Sequence, residues 1–147
     1  MAFKQAVVKR VAGITLLGKS DSNHWVVMDS GEASGGSRAG STPKELLMMA
    51  LAGCTAMDVI PILTKKKVPF EDFEIRVTGN TREEHPQVFT NLHIEYIVYG
   101  SNIDQKDVER AIELSTTKYC AVSAMLRPGV EITHSYVVKP ARETASV

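Results

Sequence analysis

The chain carries two cysteines, Cys54 and Cys120, and no others. Two thiols are enough for a complete redox cycle. A thiolate attacks a peroxide oxygen and becomes a sulfenic acid, and a second thiol condenses with it before irreversible oxidation sets in. That cycle needs the two sulfurs to meet in space, whatever their distance in sequence. Cys54 stands in "LLMMALAGCTAMDVIPIL", residues 46–63, with Asp58 one helical turn further on. Cys120 stands in "YCAVSAML". There is no CxxC and no HExxH. The four histidines, His24, His85, His93 and His134, are scattered, so the spacing gives no metal-ligand signature and a metal site is not expected. Against the redox reading stands the plain one, since a free cysteine is commonly a small core hydrophobe.

The segment holding Cys54 is apolar on every side, which marks a helix that is either buried or membrane-spanning. A span needs about 20 apolar residues with few charges, and Asp58 and Pro61 fall inside this shorter run. Burial is therefore expected. Thr42 supplies an N-cap, Pro43 the first helical position, and Glu45 the partner of a capping box. Pro61 is expected to kink the helix rather than end it. "TKKK" closes it with positive charge against the negative end of the helix dipole.

The remaining elements frame this helix. Residues 4–28 read as a strand meander, and the Gly- and Ser-rich stretch 29–41 as a mobile loop. Residues 73–83 and 89–100 alternate as two strands. Asp104 caps a second helix whose apolar stripe includes Val108, Ala111 and Ile112. After the "RPG" turn, "VEITHSYVV" is a last strand. The order predicts an α+β fold in a single domain, 1–147, with a long buried central helix. One side of that helix has nothing in its own chain to cover it. A second copy is the expected cover, giving a symmetric homodimer with residues 46–63 at its centre.

Charge narrows the function classes. Lys plus Arg total 17 and Asp plus Glu total 17. That balance leaves neither the basic footprint of a nucleic-acid binder nor a polybasic membrane patch. The N-terminal "MAFKQAVVKR" lacks the apolar core of a signal peptide, so a cytoplasmic location is expected. In a reducing compartment a transient redox pair is the usual form of disulfide.

"TPKELLMMALAGCTAMDVI" and "KYCAVSAML" resemble the OsmC/Ohr family of osmotically inducible and organic hydroperoxide resistance proteins, and "ITHSYVV" is most similar to its OsmC-like branch. The resemblance implies cytoplasmic, intertwined homodimers with two sites at the interface. It implies reduction of organic hydroperoxides by a reactive cysteine, without metal, haem or other cofactor. Cys54 would then be the peroxidatic residue and Cys120 the resolving one, joined in an intramolecular disulfide that a dithiol or dihydrolipoyl-type reductant reopens. Met48, Met49, Leu51, Met57, Tyr119 and Met125 are candidates for an apolar wall that suits an alkyl peroxide, or simply for core.

A buried thiolate is opposed by apolar surroundings and by an acid one turn away. The family answers with a glutamate and an arginine. Its acid directly follows the proline, whereas this chain has Lys44 there and Glu45 one place later. Glu45 is thus a catalytic candidate or only a cap. Arg38, in the Gly-rich loop, is the arginine candidate, with Arg10 the alternative. The leading expectation is a thiol-dependent peroxidase in oxidative stress defence. The alternatives are a redox-responsive or small-ligand-binding module with little turnover, and a structural dimer with inert cysteines.

Overall fold

A computed structural model of the protein describes residues 1–141. They form two compact units, Met1–Met48 and the described residues from Met49 onward.

The first unit opens with the expected meander. Strands β1 (Ala6–Ala12), β2 (Thr15–Ser20) and β3 (Val26–Met28) pair antiparallel in that order. The segment 29–41, expected as a mobile loop, is organised around one carboxylate. Asp29 is 3% exposed. Its Oδ2 accepts from Thr15 Oγ1 at 2.7 Å, Ser37 Oγ at 2.9 Å and the Ala39 N–H at 3.1 Å, while Oδ1 accepts from the Ser30 N–H at 2.8 Å. These donors, Thr15 first, hold the carboxyl well below the usual carboxylate range. Gly36 is required by this winding, because a Cβ there would lie 2.0 Å from the Ser30 carbonyl oxygen.

Helix α1 (Pro43–Lys65) begins at the predicted capping box. The Thr42 N–H donates to Glu45 Oε2 at 2.8 Å, and the Glu45 N–H donates to Thr42 Oγ1 at 3.2 Å. Pro61 sits inside the helix without ending it. The buried positions are Leu51, Thr55, Val59 and Leu63, one residue in four along a single stripe. Other apolar positions stay open, Met57 at 78% exposure and Met49 at 50%. By length and composition alone α1 could cross a membrane. Its buried stripe, however, is bonded into the second unit.

That unit is built on β4 (Phe70–Thr81), β5 (Phe89–Gly100) and β6 (Glu131–Lys139), in the order β4-β5-β6. The hairpin partner β4 runs antiparallel to β5, but β6 runs parallel to it. A parallel pair needs a long crossover. Here it consists of α2 (Gln105–Leu114), one π-helical turn (Ser115–Tyr119) and a short helix, α3 (Ala121–Leu126). Asp104 caps α2 by accepting from the Lys106 N–H at 2.9 Å. Val108, Ala111 and Ile112 are buried, as their spacing predicts. The sequence reading places no helix at 121–126. That segment is too short to show a period, so α3 is a finding of the structure alone. Central β5 forms the core, with Leu92, Ile94, Tyr96 and Val98 fully buried on one face. The fold class is α+β, as the element order predicts.

The stripe of α1 can be tested by truncation. Leu63 has no exposed surface, so Leu63→Ala should cost about 2–5 kcal/mol through lost burial plus the cavity left behind. Urea denaturation should show a lower midpoint at unchanged slope. A loss below about 1 kcal/mol would mean that this stripe does not anchor the helix.

Candidate functional site

Three chemically capable groups converge in the second unit. Cys54 and Asp58 lie one turn apart on α1, and Cys120 lies between the π-helical turn and α3. The two sulfurs and an Asp58 carboxylate oxygen all fall within 4.8 Å of one another. Both thiols are free. Cys54 is partly exposed and Cys120 is buried.

The local backbone explains how Cys120 reaches this place. The Cys120 N–H donates to the Ser115 carbonyl five residues back, at 2.8 Å, which is the wide turn of a π-helix. Cys120 then leaves helical geometry and caps α3, its Sγ accepting from the Ser123 N–H at 3.4 Å. The Arg127 guanidinium donates to the Thr116 carbonyl and, at 3.5 Å, approaches Ser123 Oγ. It thereby ties α3 to the π-helical turn.

The polar groups around the sulfurs are all partnered. Thr55, 1% exposed, donates from Oγ1 to the Leu51 carbonyl at 2.7 Å and lies 3.6 Å from Cys120 Sγ. Ser115, fully buried, donates to Asp58 Oδ2 at 2.9 Å and so fixes that carboxylate. Burial pushes the Cys120 thiol up, and neighbouring Cys54 adds to the push. The Ser123 N–H and the Thr55 hydroxyl pull the other way without cancelling it. Cys120 therefore keeps its proton at neutral pH.

Beside Thr55 stands Tyr96, close enough for the Thr55 hydroxyl to influence its phenol. The Tyr96 hydroxyl lies 3.1 Å from His134 Nδ1, and the two rings stack with centroids 5.9 Å apart. Burial, with Cys120 next, drives the phenol far above its ordinary range. His134 is pushed down by burial, then by His93 and Arg127. At neutral pH both are uncharged, and the phenol and the imidazole share one hydrogen bond whose direction follows the imidazole tautomer. Cys120, Thr55, Tyr96 and His134 thus form a neighbouring group of polar side chains, bonded in the pairs Thr55–Cys120 and Tyr96–His134.

Of the sequence candidates, the structure brings Cys54 and Cys120 together. Glu45, Arg38 and Arg10 belong to the first unit. The Glu45 carboxylate accepts from the Thr42 N–H, which is the capping role. Arg38 is exposed with a left-handed backbone, φ +55°, and Arg10 Nε donates to the Gly13 carbonyl at 2.7 Å. Of the apolar wall, Leu51 is core, while Met57, Tyr119 and Met125 are exposed on this chain. Sequence reasoning missed Thr55, Tyr96, Ser115, Ser123, Arg127 and His134. The one available signal was polarity inside an apolar run, as at Thr55.

The sequence model for OsmC-like proteins matches residues 34–135. The chain belongs to the OsmC-like family. It is 44% identical over 134 residues to Protein YhfA of Escherichia coli (strain K12), across 91% of this chain and 97% of that one. A hypothetical protein from Aquifex aeolicus VF5 superposes with a TM-score of 0.84 at 31% identity, covering 97% of this chain and 100% of that one. The organic hydroperoxide resistance protein OhrB of Bacillus subtilis superposes at 0.61 with 14% identity, over 92% of this chain and 98% of that one. At that identity the likeness to OhrB is one of fold. The fold is thus shared with both solved structures, and the cysteine pair in this chain sits on its long helix and on the crossover.

The raised Cys120 thiol gives a pH prediction. In a Cys54→Ser background, which leaves one thiol to follow, alkylation of Cys120 should rise with pH along its titration. Adding Thr55→Val removes a group that favours the thiolate, so the profile should move to higher pH, further from the ordinary thiol value of about 8.5. Iodoacetamide rates followed by mass spectrometry read this. An unmoved or lowered profile would remove Thr55 from the site.

Proposed function

We propose that the protein is a thiol-dependent peroxidase acting on organic hydroperoxides in the cytoplasm. The observation that carries this reading is the approach of two free thiols, far apart in sequence, to within 4.8 Å. A disulfide needs a sulfur separation of about 2.05 Å, which side-chain rotation can approach from this start. The difference in exposure divides the labour. Cys54, the more open thiol, meets the peroxide. Its thiolate bonds to one peroxide oxygen, the O–O bond breaks, and an alcohol leaves after taking a proton. Cys120 then bonds to the Cys54 sulfenic sulfur as its thiol proton passes to the departing oxygen, and water leaves as the disulfide forms. An external dithiol, of the dihydrolipoyl type, reduces that disulfide and completes the cycle. The hydroperoxide resistance proteins that share this fold support the assignment.

A homodimer belongs to the same reading. Helix α1 is apolar on all sides yet covered along one stripe, with Met57 and Met49 open. A second copy of the chain is the cover that such a helix needs. One observation favours the rival reading of a ligand-binding module with little turnover: the Glu45 carboxylate is committed to its cap.

Cys54→Ser should reduce turnover of cumene hydroperoxide with a dithiol to the uncatalysed background. Cys120→Ser should allow one turnover per chain and then accumulate sulfenic or overoxidised Cys54, visible by mass spectrometry. Full activity in Cys54→Ser would overturn the assignment of the attacking sulfur. A wild type inert toward every organic peroxide would leave the binding module as the better account.

The dimer has its own test. Sedimentation of the wild type at low micromolar concentration should give twice the chain mass, and Met57→Lys should weaken association at least about tenfold, because an unpaired charge then enters an apolar contact. A wild-type monomer under those conditions would refute it.

A further inference from the structure

The Cys54–Asp58–Cys120 cluster has donors suited to chemistry other than peroxide reduction. Two thiols and a carboxylate form a donor set typical of zinc. In a tetrahedral site with bonds of about 2.3 Å, two sulfurs stand about 3.8 Å apart. The present spacing, within 4.8 Å, is a modest side-chain rotation away. Cys54 and Asp58 are one helical turn apart on the same face of α1, the spacing at which two side chains share an ion. Ser115 already fixes the carboxylate by donating to Oδ2 at 2.9 Å. Ser123 N–H and Thr55 Oγ1 address the Cys120 sulfur at 3.4 Å and 3.6 Å. Outer partners of this kind orient metal ligands. Partial exposure of Cys54 leaves a route for an ion and a fourth position for water. The ionised cluster would carry three like charges in close quarters, and a dication offsets most of that repulsion.

We propose that Cys54, Cys120 and Asp58 form a binding site for a soft divalent cation of the zinc or cadmium class, which occupies the same sulfurs that peroxide would attack. Binding displaces the thiol protons. Oxidation reverses it: one hydroperoxide takes two electrons from the sulfur pair, the S–S bond forms as the O–O bond breaks, and two protons complete the alcohol and water. The cation leaves unchanged in oxidation state, because neither thiolate remains to hold it. The binding claim stands on the geometry alone, while the competition claim rests on the peroxidase reading above.

The test titrates the reduced full-length protein, under nitrogen, with cadmium ion followed by its thiolate charge-transfer band, and with zinc ion followed by calorimetry. One cation per chain is expected. Asp58→Asn should retain the stoichiometry with at least about tenfold weaker affinity, the size typical of ligand-shell changes. Wild type converted to the disulfide, which needs no substitution, should lose the band and bind at least a hundredfold more weakly. Absence of the band in reduced wild type would overturn the proposal. So would equal affinity in Asp58→Asn, or undiminished binding in the disulfide form. Cadmium binding without any peroxide turnover would support this site and remove the peroxidase reading. Turnover unaffected by a stoichiometric cation would overturn the competition.

Discussion

The second unit depends on a constraint at the stripe of α1. A helix apolar on every side can be covered by almost anything greasy, so packing alone does not fix its rotation. Its polar groups do. Thr55 is buried on the stripe, beside the Cys120 sulfur. Asp58, a few residues along, takes the hydroxyl of fully buried Ser115. A buried hydroxyl or half-buried carboxylate left without a partner is costly, so α1 is held in the rotation that satisfies both from the 115–123 segment. Among the described residues, no buried side-chain nitrogen or oxygen lacks a partner. The same rotation turns Cys54 toward Cys120.

The two thiols are consequently unlike. One is shielded beneath Thr55 and Ser123 and keeps its proton through burial. The other is partly open. The phenol of Tyr96 and the imidazole of His134 form a second polar pair in the sheet beside the shielded thiol, both uncharged at neutral pH. Acid changes this. His134 is depressed in the fold, so its contribution to stability is complete above the unfolded imidazole value of about 6.5 and is lost as pH falls through the folded value.

Much of this architecture could be read from the chain. The capping box at Thr42 and Glu45, the alternation of β5 and the stripe of α2 are local signals, and local signals survive into the fold. The convergence of Cys54 with Cys120 was legible only because two cysteine segments resembled known relatives. No periodicity carries a contact between residues so far apart in the chain. Thr55, Ser115 and Ser123 escaped notice for a related reason. A serine or threonine in an apolar run reads as filler until its partner is known, and each partner lies on another element. Asp29 shows the opposite error. Its Gly- and Ser-rich surroundings suggest looseness, yet five hydrogen bonds to one carboxylate organise that loop.

The π-helical turn makes length, rather than composition, the property that matters in residues 116–119. Ser115 and Cys120 are both buried, whereas Thr117, Lys118 and Tyr119 between them are exposed. In an α-helix the next inward position after Ser115 would fall at 118 or 119. The wider turn delays it to 120. Side chains at 117–119 are therefore free to vary, but loss of one residue would swing Cys120 about 100° around the axis and out of reach of Cys54. The cysteine pair is in effect set by a count of residues, and an alignment scored by identity alone would pass over it.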